Sequence, residues 1–304
     1  MHAPLRPARK EDLASPAALG ERWILTLDCE DRVGIVAAVA GFLAERGGFI
    51  LDSQQYADVE TGRYFMRVSF GSADPARPMA RDQLGRDFAE VAGRFAMNWQ
   101  LVAESRRPRV MVAVSRTSHC LNDLLHRHRS GQLPIDVVAV VSNHPDLQGL
   151  AEWHGTPFHH LPVSPETRQA QEDRLLALFE QSGADLLVLA RYMQVLSPAL
   201  ARALWGRCIN IHHAFLPSFP GARPYERAHA AGVKLIGATS HFVSEELDQG
   251  PIIEQAVIRV DHRCSVRDLV ALGSDIEAQV LSRSVKWWAE RRVFLNDSRT
   301  VVLS

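Results

Sequence analysis

The sequence predicts an α/β protein of two units: a ferredoxin-like βαββαβ unit, then a doubly wound, mostly parallel sheet. Three observations carry that reading. Residues 23–103 switch between strand and helix periodicity in the order β-α-β-β-α-β. Residues 104–109 (ESRRPR) form a polar, proline-containing break. Beyond it, short apolar runs such as Val110–Val114 alternate with helical stretches, as strands buried on both faces require. The expected organisation is a flexible tail over 1–20, a first domain over 21–104 and a second over 109–304.

In the first domain, Trp23–Asp28 is rich in strand formers, and Ile35, Val36, Val39, Phe42 and Leu43 recur at helical spacing up to Gly47-Gly48. Phe49–Ala57 and Tyr64–Phe70 read as strands about the turn Glu60-Thr61-Gly62. Leu84–Phe95 reads as a helix and Asn98–Ala103 as a last strand. In the second domain the expected elements are a strand at Val110–Val114, a helix at Cys120–His128 and a strand at Val137–Val141. A helix at Leu147–Trp153, a short strand at Pro157–Leu161, a helix at Ala170–Ser182 and a strand at Leu186–Leu189 follow. Later come a strand at Gly237–Val243, an amphipathic helix at Ser265–Glu290 and a hairpin about Asn296-Asp297-Ser298.

Composition narrows the function classes. The 304 residues include 23% charged and 46% hydrophobic ones with a formal net charge of −1, an ordinary globular balance without a general pull on nucleic acid or anionic lipid. No apolar run approaches the roughly 18 residues of a membrane helix, and the first residues lack the apolar core of a signal peptide. Cys29, Cys120, Cys208 and Cys264 stand far apart without a C-x-x-C pair, which suits free thiols in a reducing cytoplasm. Among the thirteen histidines, His126/His128, His159-His160 and His212-His213 diverge on their elements, and no metal-ligand spacing such as H-E-x-x-H occurs. No metal and no cofactor are expected. Cys120 reads as an inert thiol before a nucleophile, Trp287-Trp288 as packing for the last helix, and Arg106, Arg107 and Arg109 as a solvated linker.

The chemistry concentrates in residues 208–255. Asn210 and His212 are two apart on a strand end, so both side chains take one face. Pro217, Pro220, Gly221 and Pro224 then hold an irregular loop, and Glu245, Glu246 and Asp248 crowd a turn closed by Gly250-Pro251. An amide and an imidazole can both donate to a tetrahedral oxyanion, and a carboxylate can orient a water, take its proton and fix the imidazole. The same residues read otherwise as strand caps and a turn aspartate.

Taken with its neighbours, residues 210–248 resemble the formyltetrahydrofolate-dependent transferases, in which an N-I-H motif, an L-P-S-F-x-G loop and an H-F-V-x-x-x-x-D-x-G turn follow in this order. The resemblance implies that Asn210, His212 and Asp248 are catalytic. It also implies that Met193, Val195, Leu196, His241, Glu245 and Leu247 bind the folate. D-x-x-D-R-V-G-I at Asp28–Ile35 resembles an ACT domain, whose effector site would involve Asp31, Gly34 and Ile35; Gly34 otherwise merely permits a tight turn. An ACT-like domain ahead of a formyltransferase-like domain is similar to the formyltetrahydrofolate deformylases. So are His212–Pro217, Gly221–Tyr225 and Val260–His262. That resemblance implies hydrolysis of 10-formyltetrahydrofolate, the substrate and not a cofactor, to formate and tetrahydrofolate, supplying one-carbon and purine metabolism. It further implies a cytoplasmic homo-oligomer assembled through the ACT domain, a small amino-acid effector, and neither nucleic-acid nor membrane partners. The rival readings are a formyltransferase to an amine and a non-enzymatic folate or amino-acid sensor. Ser115–Asn122 lacks the glycines of a phosphate-binding loop, which weighs against a ribonucleotide acceptor, although Arg116 and the hydroxyls still suit an anion.

Overall fold

A computed structural model describes residues 20–74, 76, 79–216 and 224–304. All of the expected tail but Gly20 lies outside these residues, as do Pro217, Pro220 and Gly221 of the expected loop. The chain divides into two compact units, Met1–Arg106 with Leu303 and Arg107–Val302 with Ser304.

The first unit runs β1 (Arg22–Glu30), α1 (Ile35–Glu45), β2 (Gly48–Asp58), β3 (Arg63–Ser72), α2 (Arg81–Phe95) and β4 (Asn98–Ala103). Its sheet is antiparallel, in the order β2-β3-β1-β4. Strand alternation turns Trp23, Leu25, Leu27 and Cys29 to one face, where they meet Ile35, Val39 and Leu43 of α1 and Leu84 and Phe88 of α2. Gly34 takes φ 101° at the entry to α1, a conformation that side chains with a Cβ resist.

The second unit continues β5 (Arg109–Val114), α3 (His119–Arg129), β6 (Asp136–Ser142), α4 (Gln148–Trp153), β7 (Phe158–His160), α5 (Arg168–Gln181), β8 (Leu186–Leu189) and α6 (Pro198–Ala203). It closes with β9 (Cys208–His212), α7 (Pro224–Ala230), β10 (Leu235–Phe242), β11 (Ile252–Arg259), α8 (Val266–Ala289), β12 (Val293–Asn296) and β13 (Arg299–Val302). Seven strands form one sheet in the order β11-β10-β9-β8-β5-β6-β7. β5 to β9 are parallel, while β10 and β11 pair antiparallel at one edge. Val110, Val112 and Val114 of β5 face the core shared with α3 and α8, and Met111 and Ala113 face the core of α5 and α6. Burial on both faces explains why this strand reads as an unbroken apolar run.

β5 is flanked by β6 on one side and β8 on the other, so chain direction along the sheet reverses between β5 and β8. The crevice at the carboxyl ends of such a pair is where open α/β sheets bind ligands.

Three elements differ from expectation. α6 is a short helix whose Ser197 hydroxyl accepts from Leu200 N–H at 3.3 Å, with Pro198 at the first helical position. α7 begins at Pro224, which the sequence placed in the irregular loop. β11 extends the pair Ile252-Ile253 into a full edge strand, half exposed and without clean alternation. No helix among the described residues is long and apolar enough to cross a membrane.

Candidate active site

The register of β9 and β10 assembles the site. His241 lies opposite Asn210 and Thr239 opposite His212, so four polar side chains share one face of two adjacent strands. A β-bulge between Ser240 and His241 re-aims the end of β10. Thr239 anchors the segment after β9: its hydroxyl donates to the Ala214 carbonyl at 2.9 Å and accepts from Leu216 N–H at 3.0 Å.

Asp248 arrives from the turn after β10. Its backbone takes φ 57°, a left-handed conformation that an aspartate tolerates better than most residues. The turn is seated by Gly250. A Cβ there would collide with the Phe242 carbonyl oxygen and stand 2.8 Å from its carbon. Phe242 N–H donates to the Pro251 carbonyl at 2.9 Å, closing the turn.

Two of the ring nitrogens face groups that only accept. His241 Nδ1 lies 2.8 Å from the Phe242 carbonyl, which only accepts, so Nδ1 carries a proton. His241 Nε2 lies between the Asn210 side-chain amide nitrogen, at 3.2 Å, and Asp248 Oδ1, at 3.7 Å. His212 Nδ1 lies 3.2 Å from Asp248 Oδ2, and a carboxylate likewise only accepts. His212 Nε2 is buried with no hydrogen-bond partner among the described residues. On a cavity wall, such an atom is open to a ligand group or a water.

Burial works to raise the Asp248 carboxyl, but the imidazoles of His212 and then His241 outweigh it and hold it well below the usual carboxylate range. His213 stacks on His212 with ring centroids 5.2 Å apart and planes at 23°. Burial and then the Arg191 guanidinium push His213 down to about 4.

Asn210, His212 and Asp248 line one cavity of about 990 Å³, large enough for a folate-sized ligand. Met193, Val195, Leu196, His241, Glu245 and Leu247 line it too, so the structure brings together every residue expected to be catalytic or folate-binding. Met193, Val195 and Leu247 are exposed apolar side chains there. Met193 N–H donates to the Ser115 hydroxyl at 2.9 Å, and that hydroxyl donates to Asn143 at 2.7 Å. The Ser115 hydroxyl thus supports the 193–197 loop and is not free for an anion, which corrects that part of the reading of residues 115–122. Asp31 and Gly34 belong to the first unit, in the turn before α1, and Ile35 is the first residue of that helix. Asp31 and Gly34 are exposed there, whereas the Ile35 side chain is 2% exposed and committed to the core.

Sequence reasoning missed Arg168, Arg191, Tyr225 and Glu277, which also line the cavity. Arg168 donates to the Val195 carbonyl, and Glu172 accepts from Ser197 N–H at 2.8 Å, so α5 braces the same loop. His119, Cys120 and Glu277 place their ligand atoms within 4.8 Å of one another. The Glu277 charge is already met by Arg191, and burial pushes the Cys120 thiol well above its ordinary value, which makes it a poor ligand and a poor nucleophile.

Residues 108–285 match the formyl transferase family model. Formyltetrahydrofolate deformylase of Corynebacterium sp. (strain P-1) is 52% identical over 282 residues, covering 93% of this chain and 98% of that protein. The chain belongs to the formyltetrahydrofolate deformylase family. The crystal structure of the deformylase from Burkholderia mallei superposes with a TM-score of 0.89 at 48% identity, over 93% of this chain and 100% of that one. Glycinamide ribonucleotide transformylase 1 from Symbiobacterium toebii matches at a TM-score of 0.61 and 32% identity, but over only 65% of this chain. Likeness to the transformylase is therefore likeness of part of the chain, and likeness to the deformylase family runs through both units.

Proposed function

We propose that this protein hydrolyses the formyl group of 10-formyltetrahydrofolate, releasing formate and tetrahydrofolate. Water attacks the formyl carbon, and the carbonyl π pair becomes an oxyanion. Asn210 donates to that oxyanion through its side-chain amide, and His212 through Nε2–H, which requires the imidazolium that Asp248 accompanies. Asp248 orients the water and takes its proton. Collapse of the intermediate breaks the bond from carbon to the folate nitrogen, which receives a proton through His212 or water. The observation that carries this reading is the unpartnered, buried Nε2 of His212 beside an ionised Asp248 on a cavity wall. Met193, Val195, Leu196 and Leu247 supply apolar contact to the pteridine, His241 holds Asn210, and the 244–247 turn with Glu245 offers polar contact. Glu245 itself is paired with Arg202, which fixes that turn. Arg168 at the loop offers a cation to the folate's glutamyl carboxylates. The test is formate release from 10-formyltetrahydrofolate with and without an amine acceptor: unchanged formate yield supports the hydrolase, and formate that vanishes in favour of a formylated amine refutes it.

For the first unit we propose an ACT-like regulatory role. Its antiparallel β2-β3-β1-β4 sheet and the left-handed Gly34 leave the first turn of α1 without a side-chain cap, a place for the carboxylate of a small amino acid beside Asp31. Pairing of such units into a homo-oligomer, a cytoplasmic setting and a supply of formate to purine synthesis complete the proposal. Deleting residues 1–104 is expected to alter assembly or amino-acid response while the second unit still binds folate, and loss of folate binding would refute this division of labour.

A further inference from the structure

The cavity wall carries a second ionised cluster that the hydrolytic mechanism leaves unused. Glu277 of α8 has a side chain 1% exposed, with Oε2 accepting from His119 Nε2 at 2.8 Å and lying 3.4 Å from Arg191 Nε. Oε1 accepts from the Tyr225 hydroxyl at 2.6 Å. Burial would raise this carboxyl, but His119, Arg191 and Tyr225 outweigh it and keep it ionised.

Two features mark the cluster as built. Gly273 lies one turn before Glu277, and a Cβ on it would overlap the Tyr225 hydroxyl and stand 2.6 Å from ring atom Cε1. Tyr225 therefore reaches Glu277 only across bare backbone. Arg191 follows β8 at φ 64°, a conformation that a residue with a Cβ adopts only where its surroundings hold it.

The cavity lining is of two kinds: Met193, Val195, Leu196 and Leu247 are apolar, while Thr117, His119, Arg191, His213, Tyr225 and Glu277 are polar. The polar set adjoins the reacting centre through His213, whose ring stacks on His212 at 5.2 Å and lies 6.2 Å from the Tyr225 ring. A folate held by the apolar residues leaves the polar ones to meet the second reactant. We propose that Arg191 and Tyr225, tied to Glu277, close the acceptor side of the formyl centre and so determine the choice of water over an amine. This rests on the hydrolase reading above. An amine carries an ammonium form or polar substituents that need partners on entry, and a free carboxylate would be such a partner. Here both Glu277 oxygens are taken by internal donors, and the guanidinium repels an ammonium. Water is small and neutral and needs no such partner. In the excluded reaction the amine nitrogen bonds to the formyl carbon, the carbon–nitrogen bond to the folate breaks, and the amine proton passes to the folate nitrogen.

The test uses the full-length protein with 10-formyltetrahydrofolate and glycinamide in excess, reading the ratio of formylated amine to formate after subtraction of the enzyme-free reaction. Arg191→Gly removes the guanidinium and suits the left-handed backbone, so folding is favoured; Tyr225→Phe removes the hydroxyl and keeps the ring. Both are expected to raise the ratio by about tenfold or more over the wild type, and Arg191→Lys to leave it nearer the wild-type value. A wild-type ratio in both Tyr225→Phe and Arg191→Gly, or in Tyr225→Phe alone should Arg191→Gly not fold, overturns the proposal. A wild type that releases no formate instead overturns the hydrolase reading.

Discussion

Gly250→Ala perturbs the site without touching a reacting atom. The added Cβ would stand 2.8 Å from the Phe242 carbonyl carbon, closer still to its oxygen, and 3.3 Å from His241 Nδ1. Ordinary carbon contacts start near roughly 3.5 Å, so the turn must retreat by about 0.7 Å for the carbon and by more for the oxygen. That retreat strains the 2.9 Å bond from Phe242 N–H to the Pro251 carbonyl and the 2.8 Å bond that holds His241. Asp248, two residues upstream, moves with the turn, and its 3.2 Å contact with His212 lengthens. Overpacking costs about 1–3 kcal/mol of stability, which a chain of this size survives as a folded protein at moderate temperature. A displacement near 1 Å of a positioning group costs about 10²-fold in rate. The expected result is a folded variant with kcat for formate release down about 10²-fold, measured beside its thermal transition. A variant with wild-type kcat and a normal transition would refute the claim that this glycine seats Asp248.

The remaining predictions address the residues themselves. Asp248→Asn keeps volume and removes the proton acceptor, so formate release is expected to fall by about 10²-fold or more while equilibrium dialysis still finds folate binding; near wild-type turnover would remove Asp248 from the mechanism. Because the Asp248 carboxyl lies below its ordinary value, its ionised form contributes stability above an unfolded value of about 3.9. That contribution is lost as pH falls toward the folded value, so the stability gap between wild type and Asp248→Asn should narrow below about pH 4. Asn210→Ala and His212→Ala serve one oxyanion and should be strongly non-additive in kcat; independent multiplicative losses would argue against a shared hole. His213, pushed down to about 4, binds its proton more weakly folded than unfolded, so it costs stability as pH falls from about 6.5 toward that value. His213→Phe keeps a ring against His212 and should flatten denaturation midpoints across that interval; an unchanged pH dependence would count against it.

Much of this architecture was legible because its signals are local. β5 and β8 are continuous apolar runs, buried on both faces, and β4 and β8 fall where periodicity places them. Asn210 and His212 share a face for the elementary reason that strand side chains alternate. β11 escaped because an edge strand half in solvent has no consistent apolar face. α6 escaped because a single short helix gives no periodicity, although Ser197-Pro198 carries the cap signature. The Glu277 cluster is illegible for a different reason: His119 and Glu277 meet across 158 residues of sequence, with Arg191 and Tyr225 coming from two further segments. No spacing rule joins four residues from four segments. Gly273 is silent in the same way, since a glycine inside a helix shows no use until the Tyr225 ring that occupies the place of its missing Cβ is seen.

On the proposed mechanism, formyl transfer and formyl hydrolysis ask the same of Asn210, His212 and Asp248, since both pass through an oxyanion at the same carbon. The choice between them must therefore be made by what surrounds the second reactant. In residues 115–122, the Ser115 hydroxyl is spent on Asn143 and Met193, and His119 is spent on Glu277. On the cavity wall, the Glu277 charge is met from within by Arg191. Each of these side chains satisfies another part of the protein, so an incoming acceptor would have to break an existing bond for each one it made. Such an exchange returns little net free energy against the cost of ordering a small polar molecule. Water bears almost none of that ordering cost, which is why a site whose Ser115, His119 and Glu277 side chains are already paired within the protein favours hydrolysis, with Arg191 and Tyr225 closing the acceptor side.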